Sequence, residues 1–368
     1  MMNHSLIFAR AYEKEAGGKI PASTRPIFHL TPWVGWMNDP NGFSYYRGQY
    51  HLFYQYYPYD TEWNSMHWGH AVSHDLLHWT YLPAALAPDA PYDSFGCFSG
   101  SAMELPDGKQ LLLYTGVRKE GGDKGKEFQT QCIAVGDGLD YEKYAQNPVL
   151  DAKDLPEGLS PYDFRDPKIW RKPDGGYRCV VGARRMDKRG VLLLFGSEDA
   201  FHWHFESILA ENDGRFGLMW ECPDFFPLDG KHVLFVSPQD MLPEGFEYHN
   251  GNGTVCQIGT FDEETLKAGA EGFISATQKY LFPVYAVVCL VLAMIVVLIY
   301  TVLMHWLMAI LFKVKFGNTL RVNTLTYAII GIVEILGGLS VGFLLMFGVL
   351  LVINVLVNSL NKTAPAMA

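Results

Sequence analysis

The chain has 368 residues, 49% of them hydrophobic and 18% charged, with a formal net charge of −10 at pH 7. That length accommodates one large domain or two ordinary ones. The acidic balance argues against a nucleic-acid partner, whose phosphates reward a basic footprint, and is indifferent to a neutral ligand.

In chain order, the segment from Met1 to Lys19 has no apolar core of the kind a secretory signal carries. Residues 1–27 therefore read as an N-terminal extension of a cytoplasmic protein. Charge and aromatic residues then dominate up to residue 279. The six cysteines (97, 132, 179, 222, 256 and 289) are scattered without a CxxC pair. The twelve histidines form no HExxH or HxxxH group with a nearby carboxylate. Reduced thiols are the expectation, with no metal and no cofactor.

A repeat runs through this part. Ser73-His74-Asp75-Leu76-Leu77-His78-Trp79 returns as Ser197-Glu198-Asp199-Ala200-Phe201-His202-Trp203, with a degenerate copy from Val135 to Tyr141 midway. Asp75, Asp137 and Asp199 are spaced by 62 residues, as are Trp79, Tyr141 and Trp203. A weaker fourth copy lies at Phe261–Leu266. A second element keeps the same period. Arg47-Gly48, Asp107-Gly108, Asp174-Gly175 and Asp229-Gly230 each precede a strand-like run rich in aromatic and β-branched residues. Such dipeptides mark tight hairpins, because primed turns need positive φ. One small antiparallel sheet per repeat predicts an all-β propeller. The aspartates of the first repeat element read as turn caps, and His51, His67 and His70 as structural residues.

Counting nine residues back from each hairpin glycine reaches Asp39, Ser99, Asp166 and Glu221. Equivalent positions in successive blades are related by rotation, so these side chains should share one central cavity. Three of the four are carboxylates, which repel one another and raise one another's pKa, a costly arrangement unless it is used. Paired carboxylates in an aromatic pocket are what glycoside hydrolysis requires. One, ionised, attacks the anomeric carbon while the other, kept protonated, gives its proton to the leaving oxygen.

At these residues the chain resembles glycoside hydrolase family 32, the invertase, sucrose-6-phosphate hydrolase and fructanase group. Trp36-Met37-Asn38-Asp39-Pro40-Asn41-Gly42 is similar to the family's first signature, Arg165-Asp166-Pro167 to its second, and Trp220-Glu221-Cys222-Pro223 to its third. Gln55, Trp63 and Phe98-Ser99-Gly100-Ser101 match smaller motifs, all in family order. The resemblance implies that Asp39 is the nucleophile of a retaining β-fructofuranosidase, Glu221 its acid/base and Asp166 the stabiliser of the oxocarbenium-like transition state. It places Asn38, Gln55, Trp63, Phe98, Ser99 and Arg165 in the fructose subsite, with sucrose, sucrose 6-phosphate or a short fructan as substrate. Trp68 reads as core, and Cys222 as a packed thiol beside the acid/base.

The family has five blades and then a β-sandwich, whereas the repeat here covers residues 28–279 with about four. From residue 280 the composition changes. No Asp, Glu, Lys or Arg occurs between Tyr280 and Phe312, and only Glu334 between Val322 and Asn361. Leu281–Leu303 is long enough for one membrane span of about 20 residues, and Leu325–Leu356 for one long or two short spans. Residues 280–368 are thus expected to be a helical transmembrane tail, meeting a lipid bilayer through residues 281–357. Two function classes follow. One is an active hydrolase. The other is a catalytically impaired, membrane-tethered fructoside-binding protein, or a fusion or truncation product, that retains the site residues.

Overall fold

The computed structural model describes residues 5–26, 29–121, 125–245, 247–264 and 267–275. The chain divides into two compact units, Met1–Thr277 and Gln278–Ala368. The second unit lies outside the described residues, and so do the expected membrane spans. Among the described residues no helix is long and apolar enough to cross a membrane.

Among the described residues, sixteen strands form four antiparallel four-stranded sheets, each built from consecutive strands. Blade one holds β1 (Trp36–Tyr46), β2 (Gln49–Tyr57), β3 (His67–Ser73) and β4 (Trp79–Leu86). Blade two holds β5 (Gly96–Glu104), β6 (Gln110–Glu120), β7 (Lys126–Gly136) and β8 (Tyr141–Lys143). Blade three holds β9 (Leu159–Arg171), β10 (Tyr177–Arg185), β11 (Gly190–Ser197) and β12 (His204–Glu211). Blade four holds β13 (Met219–Leu228), β14 (Lys231–Gln239), β15 (Val255–Asp262) and β16 (Lys267–Ser275). This is the all-β propeller architecture that the repeat predicts.

Both repeat elements are turns. The hairpin glycines 48, 108, 175 and 230 all have positive φ, between 75° and 100°, where a Cβ would be strained. The repeated aspartates close the turn between the third and fourth strand of each blade. Asp75 Oδ1 accepts from the backbone N–H of Leu77 (2.9 Å) and His78 (2.8 Å), and Asp199 Oδ1 does the same for Phe201 and His202. Asp137 binds the N–H groups of Leu139 and Asp140, and Asp262 that of Glu264. These side chains supply the partners that a turn denies its own backbone.

The core lies between blades. On β6, Leu112 and Tyr114 pack with Phe53 and Trp68 of blade one, while Leu111 and Leu113 pack with Val181 and Leu193 of blade three. Val180, Leu192 and Leu194 face the other way, onto Leu234 and Val236 of blade four. Side chains alternate along a strand, so a middle strand buried on both faces needs an unbroken apolar run, as in Leu111–Leu113 and Val191–Phe195. Each such side chain contributes about 1.5–3 kcal/mol of burial.

One element was not foreseen in the N-terminal extension, a helix α1 (Leu6–Gly17). It lies against the outer strand β4, where Arg10 Nε donates to the Ala84 carbonyl (2.8 Å) and Glu13 Oε1 accepts from the Ala84 N–H (2.8 Å). Its polar residues thus occupy backbone groups that an edge strand leaves unpaired.

Candidate active site

The first strands of consecutive blades, β1, β5, β9 and β13, pack side by side and converge on one cavity of about 460 Å³. Asn38, Asp39, Gln55, Trp63, Phe98, Ser99, Arg165, Asp166 and Glu221 all line it, so every residue that the sequence assigns to a site is brought to the same place. Trp63 is 43% exposed at the opening, whereas Trp68 is fully buried with its Nε1 donating to the Phe98 carbonyl (3.1 Å). His51 and His70 form a buried pair, ring nitrogens 3.0 Å apart, away from the carboxylates.

Each inner strand breaks its ladder at the site. The register slips between Met37 and Pro40, between Phe98 and Gly100, between Arg165 and Lys168, and between Glu221 and Asp224. A bulge bends the strand and re-aims its side chains. Proline suits such a break because it has no N–H to lose, and Pro40, Pro167 and Pro223 sit in or at the edge of three of the bulges. Asp166 and Cys222 take φ of +64° and +48° there, each at a cost of about 1–3 kcal/mol that surrounding packing must offset.

The ladders also correct the expectation that the four residues are rotational equivalents. Arg165 stands opposite Gly182 and Glu221 opposite Ser237, each just before its bulge. Glu221 is therefore the counterpart of Arg165, and Cys222 of Asp166. The reason is turn length: β9 and β10 are joined by five residues, β13 and β14 by two, so a count from the glycine is not a count from the ladder. The four side chains meet in one cavity nonetheless.

The carboxylates are held by a dense polar set. Asp39 Oδ2 accepts from Ser99 Oγ (2.9 Å), and Asp166 Oδ2 from the backbone N–H of Cys222 (2.9 Å). The Cys222 thiol lies between the two, 3.7 Å from Asp39 Oδ2 and 3.6 Å from Asp166 Oδ2, so blade four reaches blade one across the axis. Arg165 Nε donates to Glu221 Oε1 at 2.8 Å, and a terminal nitrogen forms an ion pair with the same oxygen at 2.8 Å. That same terminal nitrogen donates to Gln239 Oε1 (3.1 Å), and the other one to Gln129 Oε1 (3.4 Å).

Electrostatics follow from burial. Burial pushes Asp166 up to about 7, against the pull of Arg165 and with the push of Glu221 and Asp39. Glu221 is raised by burial too, which outweighs its ion pair with Arg165. Burial and the neighbouring carboxylates also hold the Cys222 thiol well above its usual value, so it stays a neutral donor. Arg165 is pulled down by burial, but Glu221, Asp166 and Asp163 more than compensate and it remains a cation. Among the described residues no group of His, Cys, Asp or Glu is arranged to hold a metal ion.

Sequence reasoning missed Glu127, Gln129, Tyr162, Asp163 and Gln239, which also line the cavity. A count along first strands cannot reach Glu127 and Gln129, which lie on the third strand of blade two. Their alternation with apolar neighbours in β7 was the available signal. Asn41 was quoted only as part of a motif. With its amide turned to satisfy its neighbours, it accepts from Gln55 Nε2 (2.9 Å) and donates to Ser99 Oγ (3.3 Å).

Comparison with known proteins agrees with this geometry. The family described as "Glycosyl hydrolases family 32 N-terminal domain" matches residues 29–288. The sucrose-6-phosphate hydrolase of Escherichia coli is 45% identical over 228 residues, which is 61% of this chain and 46% of that protein. The sucrose-6-phosphate hydrolase of Bacillus subtilis is 41% identical over 262 residues, 68% of this chain and 51% of that one. Among solved structures, the Bombyx mori β-fructofuranosidase superposes with a TM-score of 0.65 at 43% identity, covering 72% of this chain and 55% of its own. A variant of that enzyme was solved in complex with sucrose. The chain thus spans about half the length of the curated relatives it matches.

Proposed function

The chain belongs to glycosyl hydrolase family 32, and from that premise we propose that it cleaves the β-fructofuranosidic bond of sucrose or sucrose 6-phosphate with retention of configuration. Asp39 attacks C2 of the fructosyl ring. The bond from C2 to the glucosyl oxygen breaks, and Glu221 transfers its proton to that oxygen. Water, deprotonated by Glu221, then displaces Asp39 and releases fructose. Asp166 accepts hydrogen bonds from fructosyl hydroxyls as positive charge builds on the ring. Trp63 and Phe98 offer apolar walls to the sugar.

The observation that carries this reading is the convergence of Asp39, Asp166 and Glu221 on one cavity, with one thiol within 3.7 Å of both aspartates. Retention needs two carboxyl groups close together, about 5–5.5 Å apart. The raised pKa of Glu221 suits a group that must carry a proton before it can give one. The names of the E. coli and B. subtilis relatives supply sucrose 6-phosphate, and the Bombyx mori complex supplies sucrose. Reducing sugar released from sucrose and from sucrose 6-phosphate by the full chain tests the proposal. Turnover of at least one is expected, and inactivity on both under conditions where a relative is active refutes it.

For residues 280–368 the proposal is a membrane-embedded tail following a catalytic region at 28–279 and an extension at 1–27. Only composition supports it: two runs almost free of charge flanking Lys313, Lys315 and Arg321. Carbonate extraction of membranes from expressing cells is the test. Retention in the pellet is expected, and full release into the supernatant rejects a spanning tail.

A further inference from the structure

The proposed reaction leaves Asp163 without a task, although Asp163 lines the cavity. Its carboxylate is gripped from behind by β10. Arg184 donates to Asp163 Oδ2 through Nε (3.0 Å) and a terminal nitrogen (2.7 Å), and Ser160 Oγ donates to the same oxygen (2.9 Å). The other oxygen, Oδ1, lies 3.6 Å from Arg165, beyond hydrogen-bond length. Arg165 spends two of its nitrogens on Glu221. Four side chains therefore alternate in sign from the middle of the site outward: Glu221, Arg165, Asp163, Arg184. Arg165 and Asp163 are only 10% and 13% exposed, so solvent and salt screen this row weakly. The other titratable groups of the cavity are Asp39 on β1, Glu127 on β7, Tyr162 and Asp166 on β9, and the Cys222 thiol next to Glu221. Neutral Gln129 and Gln239 accept from the terminal nitrogens of Arg165.

We propose that Arg184 is a positioning residue that acts through Asp163: by neutralising that carboxylate it leaves the Arg165 guanidinium to Glu221, and so sets the pH at which Glu221 holds the proton it donates. The proposal rests on the reading of Glu221 as the acid. Without Arg184, the bare charge of Asp163 draws Arg165 the few tenths of an ångström into contact and repels the anionic form of Glu221. Both effects favour protonated Glu221. Without the charge of Asp163, Arg165 belongs wholly to Glu221 and favours its anion. The two removals thus act in opposite directions, a result that simple loosening of the fold does not produce.

The test is the pH dependence of kcat/KM for sucrose with the full chain. Its alkaline limb reports deprotonation of the free enzyme's acid. Arg184→Gln should move that limb up by about one pH unit and Asp163→Asn should move it down by a similar amount, as charges at such range do. Arg184→Lys, which keeps the charge, should stay near the parent profile. Arg184 is 30% exposed, so its replacements leave the packing intact. Shifts in the same direction, or no shift in either variant, overturn the proposal. A carbon-13 titration of the Glu221 carboxyl in the full chain, without substrate, separates the two levels. Opposite shifts there with no turnover by any variant or the parent sustain the charge row and reject the hydrolase reading. Normal turnover with an unmoved titration does the reverse.

Discussion

Replacing Lys143 tests whether a buried ion pair fixes the strand that brings Phe98 and Ser99 to the site. Lys143, at the end of β8, donates from Nζ to the Ala87 carbonyl, Asp89 Oδ1 and Asp93 Oδ2, each at 2.7 Å. Asp93 has no exposed surface and also receives the Tyr114 hydroxyl (2.8 Å) and the Ala90 N–H (2.9 Å). It stands in the connection from β4 to β5, just before Cys97, Phe98 and Ser99. Lys143→Met keeps the aliphatic stem and deletes the cation. Stranding one member of a buried pair costs about 3–5 kcal/mol. Three donors to Asp93 remain, the third being the Cys97 thiol (3.7 Å), and the Lys143 side chain is 17% exposed, so the lower end, about 3 kcal/mol, is expected. The loss should depend on pH. Burial already raises the pKa of Asp93 against the pull of Lys143, and removing Lys143 raises it further. A carboxyl whose pKa is raised by folding destabilises the fold progressively as pH climbs from its unfolded value, about 3.9, through the folded value. Urea unfolding of the full chain should therefore show a deficit that is small near pH 4 and full at pH 8, and Lys143→Met with Asp93→Asn should recover most of it. An equal deficit at both pH values, or a double variant no better than the single, refutes the argument.

Three further expectations concern the site. Asp39→Asn should lower kcat by several orders of magnitude with little change in binding, and a variant that turns over like the parent would remove Asp39 from the nucleophile's role. Glu221→Gln should slow sucrose far more than a fructoside with an activated leaving group, because only the poor leaving group needs the proton. Equal losses on the two substrates would point to another role. Gly42→Ala places a Cβ 2.7 Å from Phe53 Cδ2 at a φ of +52°, so thermal or urea unfolding should register a loss of about 1–3 kcal/mol. An unchanged midpoint would show that the first bulged strand tolerates a side chain there.

Much of this protein was legible before any coordinate. The recurring Asp-Gly pairs and the 62-residue spacing are local signals, because a primed turn and a side-chain cap depend on residues within a few positions of one another. They announced four sheets, and the structure has them. That Asp39, Ser99, Asp166 and Glu221 meet was legible for a related reason: a repeat turns a count along the chain into an angle about an axis, closely enough to place them in one cavity though up to 182 residues separate them and the count misses the ladder equivalence. The helix α1 was not legible, since its value lies in covering the β4 edge, a partner more than 70 residues away.

What the sequence by itself determined is the propeller fold and which side chains line its cavity. Only the tertiary structure decided their pairing. The bulges slide the register so that Glu221 answers to Arg165 and Cys222 to Asp166, and a slip of one residue exchanges the faces of a strand. Contacts such as Arg165 with Gln239, Cys222 with both aspartates, and Asp163 with Arg184 join strands whose relative depth no single strand's sequence encodes. That depth is set by the packing of whole blades on one another, and with it the charge that each carboxylate carries.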